Sequence, residues 1–204
     1  MKHRQRSTSS PSGRRAVGQL RIIGGQWRGR KLRFNEVDSL RPTGDRIRET
    51  LFNWLAPVIA GSSCLDLFAG SGALGLEALS RGAASVTMIE RHPAAVSALQ
   101  ENCQLLQADG ANILAADALN WLEYTQPETP FDIVFLDPPF GAGLLSPCLK
   151  LLLRPGLLAA GAYIYIESDR MESPPDTPAE LNMLKEKTAG QVCYRLYRLF
   201  ENVD

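Results

Sequence analysis

The sequence predicts an α/β fold: a doubly wound, mostly parallel sheet closed by a terminal antiparallel hairpin, with an N-terminal β-hairpin and helix added in front. Three observations carry this expectation. From Ser63 to Leu153 short apolar runs alternate with apolar residues at helical spacing, as in strands joined by crossover helices. The first strand-to-helix junction, Cys64 to Gly75, reads Cys-Leu-Asp-Leu-Phe-Ala-Gly-Ser-Gly-Ala-Leu-Gly, and glycines there allow a sharp turn and close approach of a ligand to the backbone. The last two apolar runs, Leu181–Lys187 and Val192–Phe200, have only Thr188-Ala189-Gly190 and a glutamine between them, which reads as a hairpin.

Length and composition bound the answer. A chain of 204 residues with 45% apolar content fits one folded α/β domain with an appendage. Its apolar runs are strand-sized, too short for a membrane-spanning helix. The basic stretch Met1–Gly18 is followed by no long apolar segment, unlike a secretory signal. Cys64, Cys103, Cys148 and Cys193 are scattered and have no neighbouring histidine. They read as reduced packing thiols of a cytoplasmic protein, with no metal site. The net charge of zero conceals an asymmetry: residues 1–50 hold 13 Lys or Arg against 4 Asp or Glu, and the remainder is acidic by the same margin. A basic segment that runs on into patterned sequence favours a polyanion partner over a merely solvated tail.

In chain order, residues 1–18 lack periodicity and read as a disordered basic tail. Residues 19–60 read as a hairpin and helix. Leu20-Arg-Ile-Ile and Arg30-Lys-Leu-Arg-Phe are its strands, and Gly24, Gly25 and Gly29 lie between them. Its exposed face carries Arg21, Arg28, Arg30, Lys31 and Arg33 beside Trp27; cations serve phosphates and a flat ring serves a base. Trp27 is equally readable as the hairpin's packing anchor. Thr43 is the expected N-cap of a helix with Ile47, Leu51, Trp54, Leu55 and Val58 on its apolar face. Arg46, Arg48, Glu49 and Asn53 fall on the other face, solvated or at a substrate edge.

Residues 61–204 follow as the sheet domain. Strands are expected at Cys64–Phe68, Ser85–Glu90, Asn112–Ala116, Phe131–Asp137 and Ala162–Glu167. Helices are expected at Gly72–Arg81, Pro93–Gln107, Asp117–Tyr124 and Gly143–Leu153. In such sheets ligands sit at the carboxyl ends of the strands.

Two stretches carry chemistry. Gly70, Gly72 and Gly75 match G-x-G-x-x-G, and Glu90 lies 20 residues beyond Gly70, the spacing at which an acid takes a ribose diol. Asp66 stands just before the glycines, where it would repel a pyrophosphate and attract a cation. That favours S-adenosylmethionine, which carries an ammonium and a sulfonium, over NAD. Taken alone, the turn is also readable as packing with no ligand. Asp117 is placed to bond an adenine amine, to cap its helix, or both, and His92 reads as a surface residue. The second stretch is Phe131-Asp-Ile-Val-Phe-Leu-Asp137-Pro138-Pro139-Phe140. Prolines stiffen the loop and remove N–H donors, so Asp137 and a proline carbonyl can accept both hydrogens of an exocyclic amine while Phe140 stacks on its base.

Asp137-Pro-Pro-Phe140 with Asp66-Leu-Phe-Ala-Gly-Ser-Gly72 resembles the amino-methylating class I S-adenosylmethionine-dependent methyltransferases. Three further stretches narrow the likeness: Arg21-Ile-Ile-Gly-Gly-Gln-Trp-Arg-Gly-Arg-Lys-Leu32, Arg41-Pro-Thr-Gly-Asp-Arg-Ile-Arg-Glu-Thr-Leu-Phe-Asn-Trp54, and Ala189-Gly-Gln-Val-Cys-Tyr-Arg-Leu-Tyr197. Together they resemble the RsmD family, which methylates the guanine N2 amine in bacterial 16S ribosomal RNA. The likeness spans Leu20 to Phe200.

The resemblance implies a Rossmann-like sheet and a catalytic loop of Asp137, Pro138, Pro139 and Phe140. It implies S-adenosylmethionine held by Asp66, Phe68, Ala69, Gly70, Ser71, Gly72, Glu90, Arg91, Asp117 and Ala118. RNA contacts are expected at Arg21, Trp27, Arg28, Arg30, Lys31, Arg41 and Arg46. The implied partner is 16S rRNA, in a small subunit or its assembly intermediate, and the enzyme is expected to be a cytoplasmic, metal-free monomer. The expected reaction is an in-line displacement on a flipped guanine, with positioning supplying most of the acceleration. Other readings are an adenine-N6 DNA or RNA methyltransferase, an NAD oxidoreductase, and a non-catalytic RNA-binding protein. Asp66 and the Pro-Pro loop oppose the oxidoreductase, and the binding protein leaves Asp137 to Phe140 without a purpose.

Overall fold

The computed structural model describes residues 17–35 and 44–200. Most of the 1–18 tail, Arg41 and the Thr43 cap therefore lie outside the described residues.

The N-terminal hairpin pairs β1 (Val17–Arg21) antiparallel with β2 (Lys31–Asn35), with Leu20 opposite Leu32. β1 begins at Val17, so the boundary expected after residue 18 is too late. Gly18 hides the strand's apolar face: a Cβ there would lie 2.3 Å from the Phe34 ring, which fills the space instead. Helix α1 (Asp45–Leu55) has Gly44 at its N-cap with no side-chain cap hydrogen bond. Its Leu51, Phe52 and Leu55 are wholly buried.

Seven strands make the main sheet: β3 (Ser63–Asp66), β4 (Ser85–Glu90), β5 (Ala111–Ala115), β6 (Phe131–Leu136), β7 (Leu158–Asp169), β8 (Leu181–Ala189) and β9 (Val192–Leu199). Their spatial order is β5-β4-β3-β6-β7-β9-β8. The first five run parallel, and β9 lies antiparallel between β7 and β8. That is the expected doubly wound sheet with its terminal hairpin. β7 starts four residues earlier than the apolar run Ala162–Glu167 indicates, because its register against β6 shifts between Phe131 and Ile133 and absorbs the small residues before Ala162.

Helices α2 (Gly75–Ser80), α3 (Pro93–Leu106), α4 (Ala118–Tyr124) and α5 (Leu145–Leu152) complete the chain. α2 is shorter than the expected Gly72–Arg81, since Gly70 to Leu74 are spent on turns. The hairpin, α1, α2 and α3 bury Leu20, Ile22, Phe52, Leu76 and Leu99 with Phe135 and Tyr165 on one face of the sheet. On the other face Leu122 of α4 and Leu149 of α5 pack with Val134 and Ile164. The N-terminal segment thus shares the sheet's core.

Arg48 is not on a solvated face but completely buried. Its guanidinium bonds Asp45 Oδ1 at 2.6 Å, the Arg21 carbonyl at 3.0 Å and Glu77 Oε2 at 3.4 Å. A buried charge persists only where such partners offset its lost hydration.

Candidate active site

Strand alternation builds the site. Asp66 lies in register with Met88 of β4 on one side and Phe135 of β6 on the other, and Phe135 with Tyr165 of β7. Met88, Phe135 and Tyr165 all face the core beneath α1 to α3. Residues two further along, Glu90, Asp137 and Glu167, return to that same face. Four neighbouring chain segments therefore present Glu90, Asp66, Asp137 and Glu167 in a row at the sheet's carboxyl edge, and Asp117 follows β5 at its end.

Each acid is held differently. Asp66 is 2% exposed and accepts the Gly75 N–H at 2.9 Å. Burial, with the nearby Asp137 and Glu90 charges adding, pushes its carboxyl up to about 7. Glu90 has both oxygens anchored: Oε2 accepts the Gly70 N–H at 2.9 Å, and Oε1 accepts the His92 N–H at 2.7 Å. Asp117 caps α4, accepting from the Leu119 and Asn120 N–H groups, so its capping role is established. Glu167 is 2% exposed and takes the Tyr165 hydroxyl on Oε1 at 2.7 Å.

The glycine turn and the proline loop close on this row. Gly70 has a positive φ of 51°, and its N–H points at Glu90. Asp137 is half-buried, Pro138 buried, and Pro139 and Phe140 exposed, Phe140 by 41%. The Ala142 N–H returns to the Pro139 carbonyl and the Gly141 N–H to Glu172, which ties the loop to the segment after β7.

Between them lies a cavity of about 820 Å³, ample for a nucleoside-sized ligand. Asp66, Phe68, Ala69, Gly70, Ser71, Glu90, Arg91, Asp117 and Ala118 line it, as do Asp137, Pro138, Pro139 and Phe140. Gly72 does not. A Cβ at Gly72 would meet Leu99 and Leu76 at 2.6–2.8 Å, so this glycine seats α2 against α3, behind the cavity wall. The donor chemistry fits S-adenosylmethionine: carboxylates for a cationic tail, and an anchored acid for a diol.

Among the described residues, none of the expected RNA contacts lines the cavity. Arg28, Arg30, Lys31 and Arg46 are exposed, and Arg21 is paired with Asp45 at 3.0 Å. Trp27 is half-buried and packs against the hydrophobic core, and its backbone N–H donates to Ser80 Oγ, which supports the packing reading. Gly44 and Ile47 of the α1 end do reach the cavity wall, so the N-terminal segment borders the site.

The family profile "Conserved hypothetical protein 95" matches residues 20–198. Ribosomal RNA small subunit methyltransferase D of Escherichia coli (strain K12) is 54% identical over 89% of this chain and 90% of its own length. The chain belongs to this methyltransferase D family. The Haemophilus influenzae protein of the same name is 47% identical over 90% of this chain and 95% of its own. The solved structure of YhhF from Escherichia coli superposes with a TM-score of 0.82 at 51% identity, covering 91% of this chain and all of that one.

In this methyltransferase the sequence reading missed the cavity residue Glu167, the buried Arg48–Glu77 pair and the place of one turn at the cavity. Glu167 had a signal, since like Glu90 and Asp137 it ends an apolar run. Arg48 and Glu77 had none, because nothing in either helix's own pattern names the other as partner. The turn Ala189–Val192, which joins β8 to β9 and borders the cavity, was read only as a turn.

Proposed function

We propose that this methyltransferase uses S-adenosylmethionine to methylate the exocyclic N2 amine of a guanine in 16S ribosomal RNA. Its setting is the cytoplasm, on the small subunit or an assembly intermediate, as a metal-free monomer. The observation that carries the reading is that Asp137, Pro138 and Phe140 border the same cavity as Asp66 and Glu90. The relatives' name supplies the small-subunit RNA as substrate.

Bound S-adenosylmethionine supplies a methyl group activated by a positively charged sulfur. Glu90, oriented by two backbone N–H groups, keeps lone pairs for the ribose hydroxyls. Asp66 would hold the cationic tail, whose charge would offset the repulsion among the carboxylates. Asp117 takes the adenine amine while capping α4. Asp137 and the Pro138 carbonyl accept the two amine hydrogens of the target guanine and so aim its lone pair into the cavity. Phe140, exposed at the rim, stacks on the flipped base. The cations of the hairpin hold phosphates and set the register of the RNA.

The experiment is tritiated methyl transfer onto small ribosomal subunits that lack the modification, followed by digestion to nucleosides. Label in N2-methylguanosine supports the reading. Label in N6-methyladenosine, or none in 16S RNA, overturns it.

A further inference from the structure

We infer that Glu167 reads the N1–H of the target guanine and thereby sets guanine against adenine. The inference rests on the guanine-N2 reading above and deepens it.

Glu167 is a buried carboxylate that nonetheless borders the main cavity. It also borders a second cavity of about 120 Å³, which Pro138, Pro139 and Phe140 line as well. It stands one position beyond the register pair Leu136 and Ile166, on the face that Asp137 shares. Asp66 and Glu90 lie across Asp137 from it, on β3 and β4, so it is removed from the cofactor's carboxylates. The Tyr165 hydroxyl, itself buried, holds one Glu167 oxygen at 2.7 Å and fixes the group's direction.

The Watson–Crick edge of guanine carries two adjacent donors, the N2 amine and N1–H. Two carboxyl groups side by side at a strand edge complement them: Asp137 at the amine and Glu167 at N1–H. Adenine offers an amine beside a bare N1 lone pair, which a carboxylate repels. Flipped bases are read through hydrogen bonds to this edge, and a site built to bond an N–H rejects an analogue lacking it far more strongly than an apolar pocket could.

The test uses small subunits reconstituted with 2-aminopurine at the mapped target nucleotide. This base keeps the amine at C2 but has no hydrogen on N1. The wild type should prefer guanine by about 100-fold or more in kcat/KM. In Glu167→Gln the amide oxygen takes the Tyr165 hydroxyl and the NH2 group meets N1. Guanine should then lose and 2-aminopurine gain, so that the preference falls at least tenfold while S-adenosylmethionine affinity holds. Tyr165→Phe, which keeps the packing ring, should move the preference in the same direction by a smaller factor. If both bases slow by one common factor in Glu167→Gln, the residue is structural and the inference is overturned. A wild type that leaves guanine N2 unmethylated would instead overturn the parent reading, and this inference with it.

Discussion

Arg48 and Glu77 pair inside the protein, Nη1 to Oε2 at 3.4 Å, with neither side chain more than 1% exposed. Glu77 is the hub of the N-terminal segment. It accepts the N–H groups of Ile23 and Gly24 at 2.8 Å each, and Arg81 Nε at 2.7 Å. Helix α1, the connection after β1 and the helix behind the glycine turn are thus tied to one carboxylate. Glu77→Ala leaves Arg48 buried beside two unmet backbone donors. Removing one member of such a pair costs about 3–5 kcal/mol. Urea unfolding should show a loss of that size; a loss under about 1 kcal/mol would mean the network contributes little.

The Asp66 carboxyl, pushed up to about 7 by burial beside other acids, ties cofactor binding to pH. A cation placed beside it draws its pKa down, so binding below about pH 7 requires a proton to leave. Affinity for S-adenosylmethionine should therefore rise from pH 6 to pH 8, by at most about tenfold per unit below 7. Calorimetry in buffers of different ionisation enthalpy should find a proton released near pH 6.5. The free protein behaves oppositely. The folded state holds this proton more tightly than the unfolded chain, so this group's contribution to stability declines as pH climbs from about 4 to about 7. A pH-independent affinity would remove Asp66 from the cation's neighbourhood.

Glu90→Ala should weaken S-adenosylmethionine binding by about 1–3 kcal/mol, the scale of a lost charge-assisted hydrogen bond. NAD should bind neither form. Calorimetry on both proteins checks this, and an NAD affinity equal to that for S-adenosylmethionine would contradict the cofactor assignment.

Arg28, Arg30 and Lys31 are exposed and lie outside the cofactor cavity. Replacing all three with Ala should flatten the salt dependence of RNA binding by about 0.7–0.9 units of slope for every phosphate no longer neutralised. Cofactor affinity should stay within twofold. Unchanged RNA affinity at two salt concentrations would show that these cations merely solvate the hairpin.

Much of this was legible because each strand writes its end in the sequence. Apolar runs stopping at Glu90 and Asp137 mark the carboxyl edge, and the glycines between Asp66 and Gly75 mark where the chain turns over it. What stayed hidden depended on contacts between distant segments. Arg48 and Glu77 are 29 residues apart, and helical periodicity alone sends an arginine to the solvent face. Gly72 matched a binding pattern, but a glycine required for helix packing leaves the same letter as one that faces a ligand. Gly18 read as tail because its missing Cβ, filled by Phe34, removes the apolar residue that would announce the strand.

The central claim is that Asp137 holds the target amine, and single-turnover methyl transfer by Asp137→Ala tests it most directly. Unmethylated small subunits and saturating tritiated S-adenosylmethionine would be used, with cofactor binding measured on the same preparation. Asp137 sits at the end of β6, half-buried on the cavity wall, so its loss should leave the fold and most of the cofactor affinity intact. The account predicts that label incorporation into 16S RNA disappears while S-adenosylmethionine still binds. Transfer at a rate near that of the wild type would contradict it.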